Sequence, residues 1–296
     1  MSFTHQLQAL LVTAIWGTNF VFIHIGLQEL PPFTFATLRF ALAAFPLILF
    51  LPKPNIPWKY LIAFGVFIGF GQFGFLFWAM QDNITPGLAS LVVQTQVFFT
   101  ILLATWLFSE GVKSIQIVAL VISFSGLMLI GLFTDGQTTI LGLFMVLFAA
   151  FCWASGNLIV KKVGKVDLIA FLAWSSIFSV PPLLLMAFYL EGSTLMLSSI
   201  TQASAQAWLV VVWQTVGNTL IGYGLWNGLL HRYPAAAIAP WALLVPVFGM
   251  SASALFLDEV LPWWKMLAAT LIISGLVINL FANRPMQKLH IQSKNT

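Results

Sequence analysis

The chain has 296 residues, of which 60% are hydrophobic and 7% charged, with a formal net charge of +4 and a mean hydropathy of +0.98. A soluble domain carries roughly 25% charged residues, so there are too few charges to coat the two soluble domains that this length would otherwise allow. Lipid must be the solvent for much of the surface, and membrane lipid is the first predicted partner.

Crossing about 30 Å of hydrocarbon takes roughly 20 apolar residues, and each crossing must be helical because lipid satisfies no open backbone group. In chain order the apolar stretches predict ten spans, at 7–26, 33–51, 58–80, 86–108, 115–133, 140–162, 168–188, 207–230, 235–257 and 263–282. Turn signals separate them at Pro31-Pro32, Pro52-Lys53-Pro54, Asp82-Asn83, Asp135-Gly136, Glu191-Gly192, Pro234 and Pro262. The predicted fold class is an all-α polytopic membrane protein. The first stretch lacks a charged n-region and runs too long for an h-region, so no cleavable signal peptide is expected. The single cysteine, Cys152, falls within a span and reads as a small apolar residue. Asn83-Ile84-Thr85 fits a glycosylation sequon, which matters only in a eukaryotic secretory pathway.

Basic residues set the predicted orientation. With a cytoplasmic N-terminus, Lys53, Lys59, Lys113, Lys161, Lys162, Lys165, Arg232, Arg284, Lys288 and Lys294 all fall on the cytoplasmic side, leaving Arg39 and Lys265. The positive-inside rule then places both termini inside. The same bias explains the net charge, and no basic patch interleaved with aromatics points to nucleic acid.

The chain reads as a duplication. Ser109-Glu110 pairs with Asp258-Glu259, and Ser125-Gly126-Leu127 with Ser274-Gly275-Leu276, both at an offset of 149 residues. Gly74, Trp78 and Pro86 pair with Gly222, Trp226 and Pro234 at an offset of 148, while Trp16 and Asn19 resemble Trp153 and Asn157 with a one-residue slip. The repeats are predicted at 1–134 and 135–284, followed by a cytoplasmic tail at 285–296. Five spans per copy insert the second copy upside down. That predicts ten transmembrane helices as two inverted five-helix repeats, a transporter architecture with its site near the midplane. A duplication retained for a channel or scaffold is the alternative.

Polar groups in hydrocarbon are costly and usually face a bundle interior or cavity. Arg39 lies about 9 Å below the predicted outer edge. It suits either attraction of a carboxylate or snorkelling to the interface. His24 reads as a titrating group or as a wet interfacial histidine. The embedded amides are Asn19, Gln72, Gln94, Gln96, Asn157, Gln214, Asn218 and Asn227. Amides suit both the amino and carboxylate ends of a zwitterion, and they also serve as interhelical glue. Gln94 and Gln96 are roughly 200° apart on an α-helix, so one is expected to be glue. Trp153 with Asn157, and Gln214 with Asn218, share faces at i, i+4. Trp58, Trp208, Trp263 and Trp264 read as interfacial belt. Trp16, Trp78, Trp153, Trp174, Trp226 and Trp241 lie deeper, where they line a pocket or simply pack. Gly65 and Gly69 form a small-residue packing face. Pro181, Pro182, Pro240 and Pro246 interrupt spans as hinges or static kinks.

Several motifs lead nowhere. Gly69-Phe70-Gly71-Gln72-Phe73-Gly74 fits GxGxxG but lies within a span, without a βαβ context. There is no Walker loop, and no metal or cofactor is predicted. All eight acids (Glu29, Asp82, Glu110, Asp135, Asp167, Glu191, Asp258 and Glu259) lie in loops or at span ends, which argues against a membrane enzyme. It also leaves proton coupling to His24, Glu110 or Glu259, or leaves a facilitator.

Taken together the chain resembles the EamA branch of the drug/metabolite transporter superfamily, nearly end to end. The residues carrying the resemblance are Trp16-Gly17-Thr18-Asn19-Phe20, Leu38-Arg39-Phe40, Gln72-Phe73, Pro86-Gly87-Leu88-Ala89-Ser90-Leu91-Val92, Gln94 and Gln96-Val97-Phe98-Phe99-Thr100. They continue with Trp153-Ala154-Ser155-Gly156-Asn157, Gly222-Tyr223-Gly224-Leu225-Trp226 and Leu243-Leu244-Val245-Pro246-Val247. Within that branch it looks like bacterial exporters of amino-acid metabolites. The resemblance implies the bacterial inner membrane, alternating access and substrates such as cysteine, O-acetylserine or related amino acids. The predicted substrate-binding set is Trp16, Asn19, Arg39, Gln72, Trp78, Gln94, Gln96, Trp153, Asn157, Gln214, Asn218, Tyr223 and Trp241. His24 departs from similar exporters, which often carry lysine there. The polar stretch from Gln214 to Asn218 is a second departure. Oligomeric state is not legible in the sequence.

Overall fold

A computed structural model describes residues 1–108, 111–133, 137–233 and 235–282. Predicted features at Ser109, Glu110, Asp135, Gly136 and Pro234 lie outside them. So do the 285–296 tail and the side chains of Asn227 and Pro240. The described residues are helical, with no strand among them. The helices are α1 Phe3–Leu27, α2 Pro32–Phe50, α3 Trp58–Asp82, α4 Pro86–Leu107, α5 Ser114–Leu132, α6 Ile140–Val163 and α7 Leu168–Glu191. They continue with α8 Ser193–Gln202, α9 Ala205–Trp226, α10 Trp241–Phe256 and α11 Trp263–Ala282.

Local sequence sets the helix ends. Proline opens α2 at Pro32 and α4 at Pro86, where its missing N–H costs nothing. The side chains of Ser2, Thr139, Asp167 and Ser204 accept from first-turn amides of α1, α6, α7 and α9. Gly164 and Gly192 follow α6 and α7 at φ 77° and 80°, a region that favours glycine.

Among the described residues eight helices, α1–α7 and α11, are long and apolar enough to cross a membrane. Counting the pair α8 and α9 as one bent span gives nine. The count of ten is not reached, because α10 is apolar but shorter than 18 residues. Its predicted span, 235–257, is broken near its start by the 3₁₀ turn Ala239–Leu243. The stretch 191–206 also departs from the expected loop, since it holds α8, which meets α9 at 99°.

The apolar surface matches a lipid solvent. Phe50, Trp106, Leu132, Phe144, Leu185 and Phe256 all point outward and exposed. Inside, α5 packs on α11, α1 on α10, α4 on α6 and α2 on α7. Helix α3 lies against α6 and α7, and α9 against α1 and α2. Close approach explains two glycines of the predicted small-residue face. A Cβ at Gly65 would strike the Ser175 carbonyl of α7, and one at Gly69 would strike the Ser179 side chain.

Two helices carry matched irregularities. Gly65–Gly74 in α3 and Trp213–Ile221 in α9 are π-helical. A second matched pair is 3₁₀: Val93–Thr95 within α4 and Ala239–Leu243 ahead of the main run of α10. Such breaks in α-geometry recur at functional sites, and all four border the central cavity.

Candidate functional site

A cavity of about 360 Å³ lies among α1, α3, α4, α6, α7, α9 and α10. Of the predicted binding residues, Trp16, Asn19, Gln72, Gln94, Gln96, Trp153, Asn157, Asn218 and Tyr223 line it. Its remaining walls are mostly apolar, including Phe20, Phe64, Ile68, Phe73, Phe171 and Leu172. Ligand sites of this kind typically hold about 300–1,000 Å³, so this one suits a small metabolite.

The helix irregularities aim the amides. Gln72 sits in the π segment of α3, and Asn218 in that of α9. Gln94 lies within the 3₁₀ turn of α4 and Gln96 immediately after it. At three residues per turn, two residues i and i+2 stand about 120° apart by the short way round. Both glutamines therefore reach the cavity, against the expectation of an α-helix. Gln96 has both roles, since it also accepts a hydrogen bond from Asn157 Nδ2 at 2.9 Å.

The amides divide into committed and free groups. Asn19 and Gln214 bind each other reciprocally. Asn19 Nδ2 donates to Gln214 Oε1 at 3.3 Å, and Gln214 Nε2 donates to Asn19 Oδ1 at 2.8 Å. Gln214 is 0% exposed and does not line the cavity. By contrast, the side chains of Gln72, Gln94 and Asn218 carry no hydrogen bond among the described residues. Three unspent amides on α3, α4 and α9 thus face an apolar chamber. The Asn218 carbonyl takes a bond from Trp16 Nε1 at 3.2 Å, which holds that indole against Tyr223 and Trp226.

Four predicted binding residues lie elsewhere. Arg39 is buried in a separate annex between α2, α3, α7 and α9. Trp78 lines a polar bowl at the opposite end, with Gln81, Glu29 and Glu191. Gln214 is spent on Asn19. Trp241 packs with Trp226 and Tyr233 around Ala9, Leu229 and Ile238. Trp226, a deep tryptophan in the sequence, lines the cavity although it is not in the predicted binding set. Phe64, Ile68 and Leu172 gave no signal, because apolar liners look like any span residue.

The two ends of the cavity differ. Its lining extends to Phe64, Val160, Leu168 and Trp226, near the helix ends that carry Lys59, Lys161, Lys165 and Arg232. At the other end carboxylates tie helix termini together. Glu191 accepts from the amides of Phe33 and Thr34 at 2.6 and 3.0 Å. Glu29 accepts from the Ser204 amide and hydroxyl at 2.7 and 2.6 Å. Those two bonds, the hydroxyl's first, hold the Glu29 carboxyl below the usual carboxylate range. Glu259 accepts from the Thr85 hydroxyl, from the Gly87 amide at 2.8 Å and from Lys265 at 3.3 Å. Lys265 is 1% exposed, so this pair is buried and charge-assisted. The caps link α7 to α2, α1 to α9, and the α10–α11 turn to α4. His24 lies near them and bonds Gln28 at 3.1 Å.

Comparison with known proteins finds a matching family and close relatives. The model of the EamA-like transporter family matches residues 5–132 and 140–281. A protein of Escherichia coli (strain K12) named "Probable amino-acid metabolite efflux pump" is 40% identical over 282 residues, spanning 93% of this chain and 94% of its own. A protein of the same name from Salmonella typhimurium is 39% identical, with the same coverage. A solved structure, titled only as a crystal structure of a protein, superposes with a TM-score of 0.61 at 18% identity. It covers 95% of this chain and 98% of that one, a likeness of fold alone.

Proposed function

The chain belongs to the EamA-like transporter family, and from that premise we propose that it exports small amino-acid metabolites by alternating access. It is a multi-pass membrane transporter, not an enzyme. The proposed cargo is cysteine, O-acetylserine or a related amino acid. One observation carries that choice: three unspent amides, of Gln72, Gln94 and Asn218, face a mostly apolar cavity. An amide offers donors to a carboxylate and an acceptor to an ammonium without burying a fixed charge. The efflux pumps named above support the same class of cargo.

The proposed architecture is two inverted repeats, 1–134 and 135–284, with α10 completing ten spans. Three features support it. The π segments of α3 and α9 fall at matching places, and so do the 3₁₀ turns of α4 and α10. Helix packing also maps onto itself when the halves are exchanged, α1 on α10 becoming α6 on α4. In this reading the basic end faces the cytoplasm of a bacterial inner membrane, with both termini inside. The cavity is then loaded from within, and the carboxylate caps of Glu29, Glu191 and Glu259 close the far side. Export requires those caps to part.

Expression in cells loaded with labelled cysteine or O-acetylserine tests the proposal. Efflux several-fold above empty-vector cells is expected. Efflux at the vector rate, with the protein shown to be inserted, refutes it. Faster efflux of a different solute instead would keep transport and overturn the cargo.

A further inference from the structure

Arg39 is the one predicted binding residue whose placement calls for a ligand of its own. It is 2% exposed, and it faces an annex of about 20 Å³ beside the main cavity. Nη2 donates to Thr219 Oγ1 at 3.3 Å. Nη1 is buried with no hydrogen-bond partner. The guanidinium lies over the Phe73 ring, 3.6 Å from its centroid, and 5.2 Å from that of Phe40. Among the described residues no carboxylate lines the annex. Its other polar groups are the hydroxyls of Ser175, Ser176, Ser179, Thr219 and Tyr223.

A full positive charge buried without a counter-charge is costly, and an orphaned donor adds to that cost. Ring faces and hydroxyl oxygens offset only part of it. The annex is the size that holds one water or one monatomic ion, for which roughly 10–15 Å³ suffices. The serine hydroxyls now donate to backbone carbonyls, Ser175 and Ser176 to Leu172 and Ser179 to Gly65. A hydroxyl hydrogen can rotate toward a different acceptor. The repeat offers a reason for the pairing of groups. The 137-residue offset that relates Trp16 to Trp153 relates Arg39 to Ser176. Where α2 meets α7, one half supplies the cation and the other the hydroxyls.

We propose that this annex is a small-anion site, built by Arg39, Ser175, Ser176, Ser179 and Thr219. Two sources carry the same chemistry. One is a free halide. The other is the carboxylate of the transported solute, admitted past Phe73, which lines both the annex and the main cavity. The free-anion source stands without the export reading; the carboxylate source rests on it.

The test is thermal unfolding of the purified protein in detergent, in sodium chloride or bromide against sodium gluconate at fixed ionic strength. Parallel samples contain O-acetylserine or its carboxamide. A halide is expected to raise the wild-type midpoint by about 2–5 °C at saturation, with no rise in Arg39→Gln. Thr219→Val keeps both the guanidinium and the volume, and it should need roughly tenfold more halide for the same rise. It decides the matter if Arg39→Gln does not fold. A rise with O-acetylserine but not with its carboxamide, and weakened in Thr219→Val, identifies the solute carboxylate as the annex occupant, since binding to the main-cavity amides alone would survive that substitution. Two results overturn the proposal: no response to halide or carboxylate, or a halide response identical in wild type and Thr219→Val. Because unfolding is read without flux, failure of this site and failure of the export proposal are separable.

Discussion

Replacing Gln214 by Ala separates a packing role from a solute-binding role for the reciprocal amide pair of α1 and α9. Gln214 and Asn19 exchange two hydrogen bonds, at 2.8 and 3.3 Å, with exposures of 0% and 4%. Truncating either one orphans the other amide, at a cost of about 1–3 kcal/mol. Interhelical bonds within membranes average nearer 0.6 kcal/mol each, so two bonds set a coupling of roughly 1–2 kcal/mol. The assay is a double-mutant cycle, Asn19→Ala with Gln214→Ala, followed by reversible unfolding in mixed detergent and SDS micelles. Each single variant should lose stability. The double variant should lose less than the sum, by about the coupling energy. Efflux per folded molecule should change little for Gln214→Ala. Additivity within about 0.3 kcal/mol, with a raised KM for solute in its place, would refute the reasoning and return both amides to the binding set.

Other perturbations have equally definite outcomes. Gln94→Ala removes one free cavity amide and should raise KM by about 2- to 12-fold, the equivalent of one net hydrogen bond, with insertion unchanged on a membrane blot. Gly69→Leu drives a side chain into Ser179 of α7 and should cost about 1–3 kcal/mol in the same micellar unfolding assay. The Glu29 cap is pH-sensitive in a known direction. Its carboxyl is held low by Ser204, so the cap is fully present above the ordinary carboxylate pKa and is lost as pH falls through the lowered value. Exchange of the Ser204 amide should accelerate only in that acidic window, and Glu29→Gln should show fast exchange at every pH.

Hydropathy made most of the helices legible, because a lipid solvent demands long apolar runs. It failed where geometry departs from the α-helix. A composition window sees Ala239–Leu243 as part of a continuous span and cannot register its 3₁₀ turn. Nor can it see the 99° bend between α8 and α9, since Ser193–Gln202 is itself only moderately polar. The same blindness affected the candidate site. Trp153 and Asn157 were readable as one face because α6 is regular there. Gln94 and Gln96 both line the cavity because about 120° per residue replaces 100° in the turn between them, while Gln96 also serves as the expected interhelical glue. The mutual bonding of Asn19 and Gln214 depends on α1 meeting α9, a tertiary fact that no local pattern carries. Trp78 and Trp226, which the proposed repeat pairs, lie apart: one lines the distal bowl and the other the cavity. Two copies inserted in opposite senses would place equivalent residues in just this way, at opposite ends.

The central claim is that solute passes through the cavity holding Gln72, Gln94 and Asn218. A single-cysteine variant, Gln94→Cys on a Cys152→Ala background, puts a thiol in that chamber. Efflux of labelled O-acetylserine from loaded vesicles is then measured before and after a small, charged thiol-specific reagent is applied at the basic end. The account predicts that modification stops efflux and that excess solute slows the modification. Complete modification with efflux unchanged would contradict it.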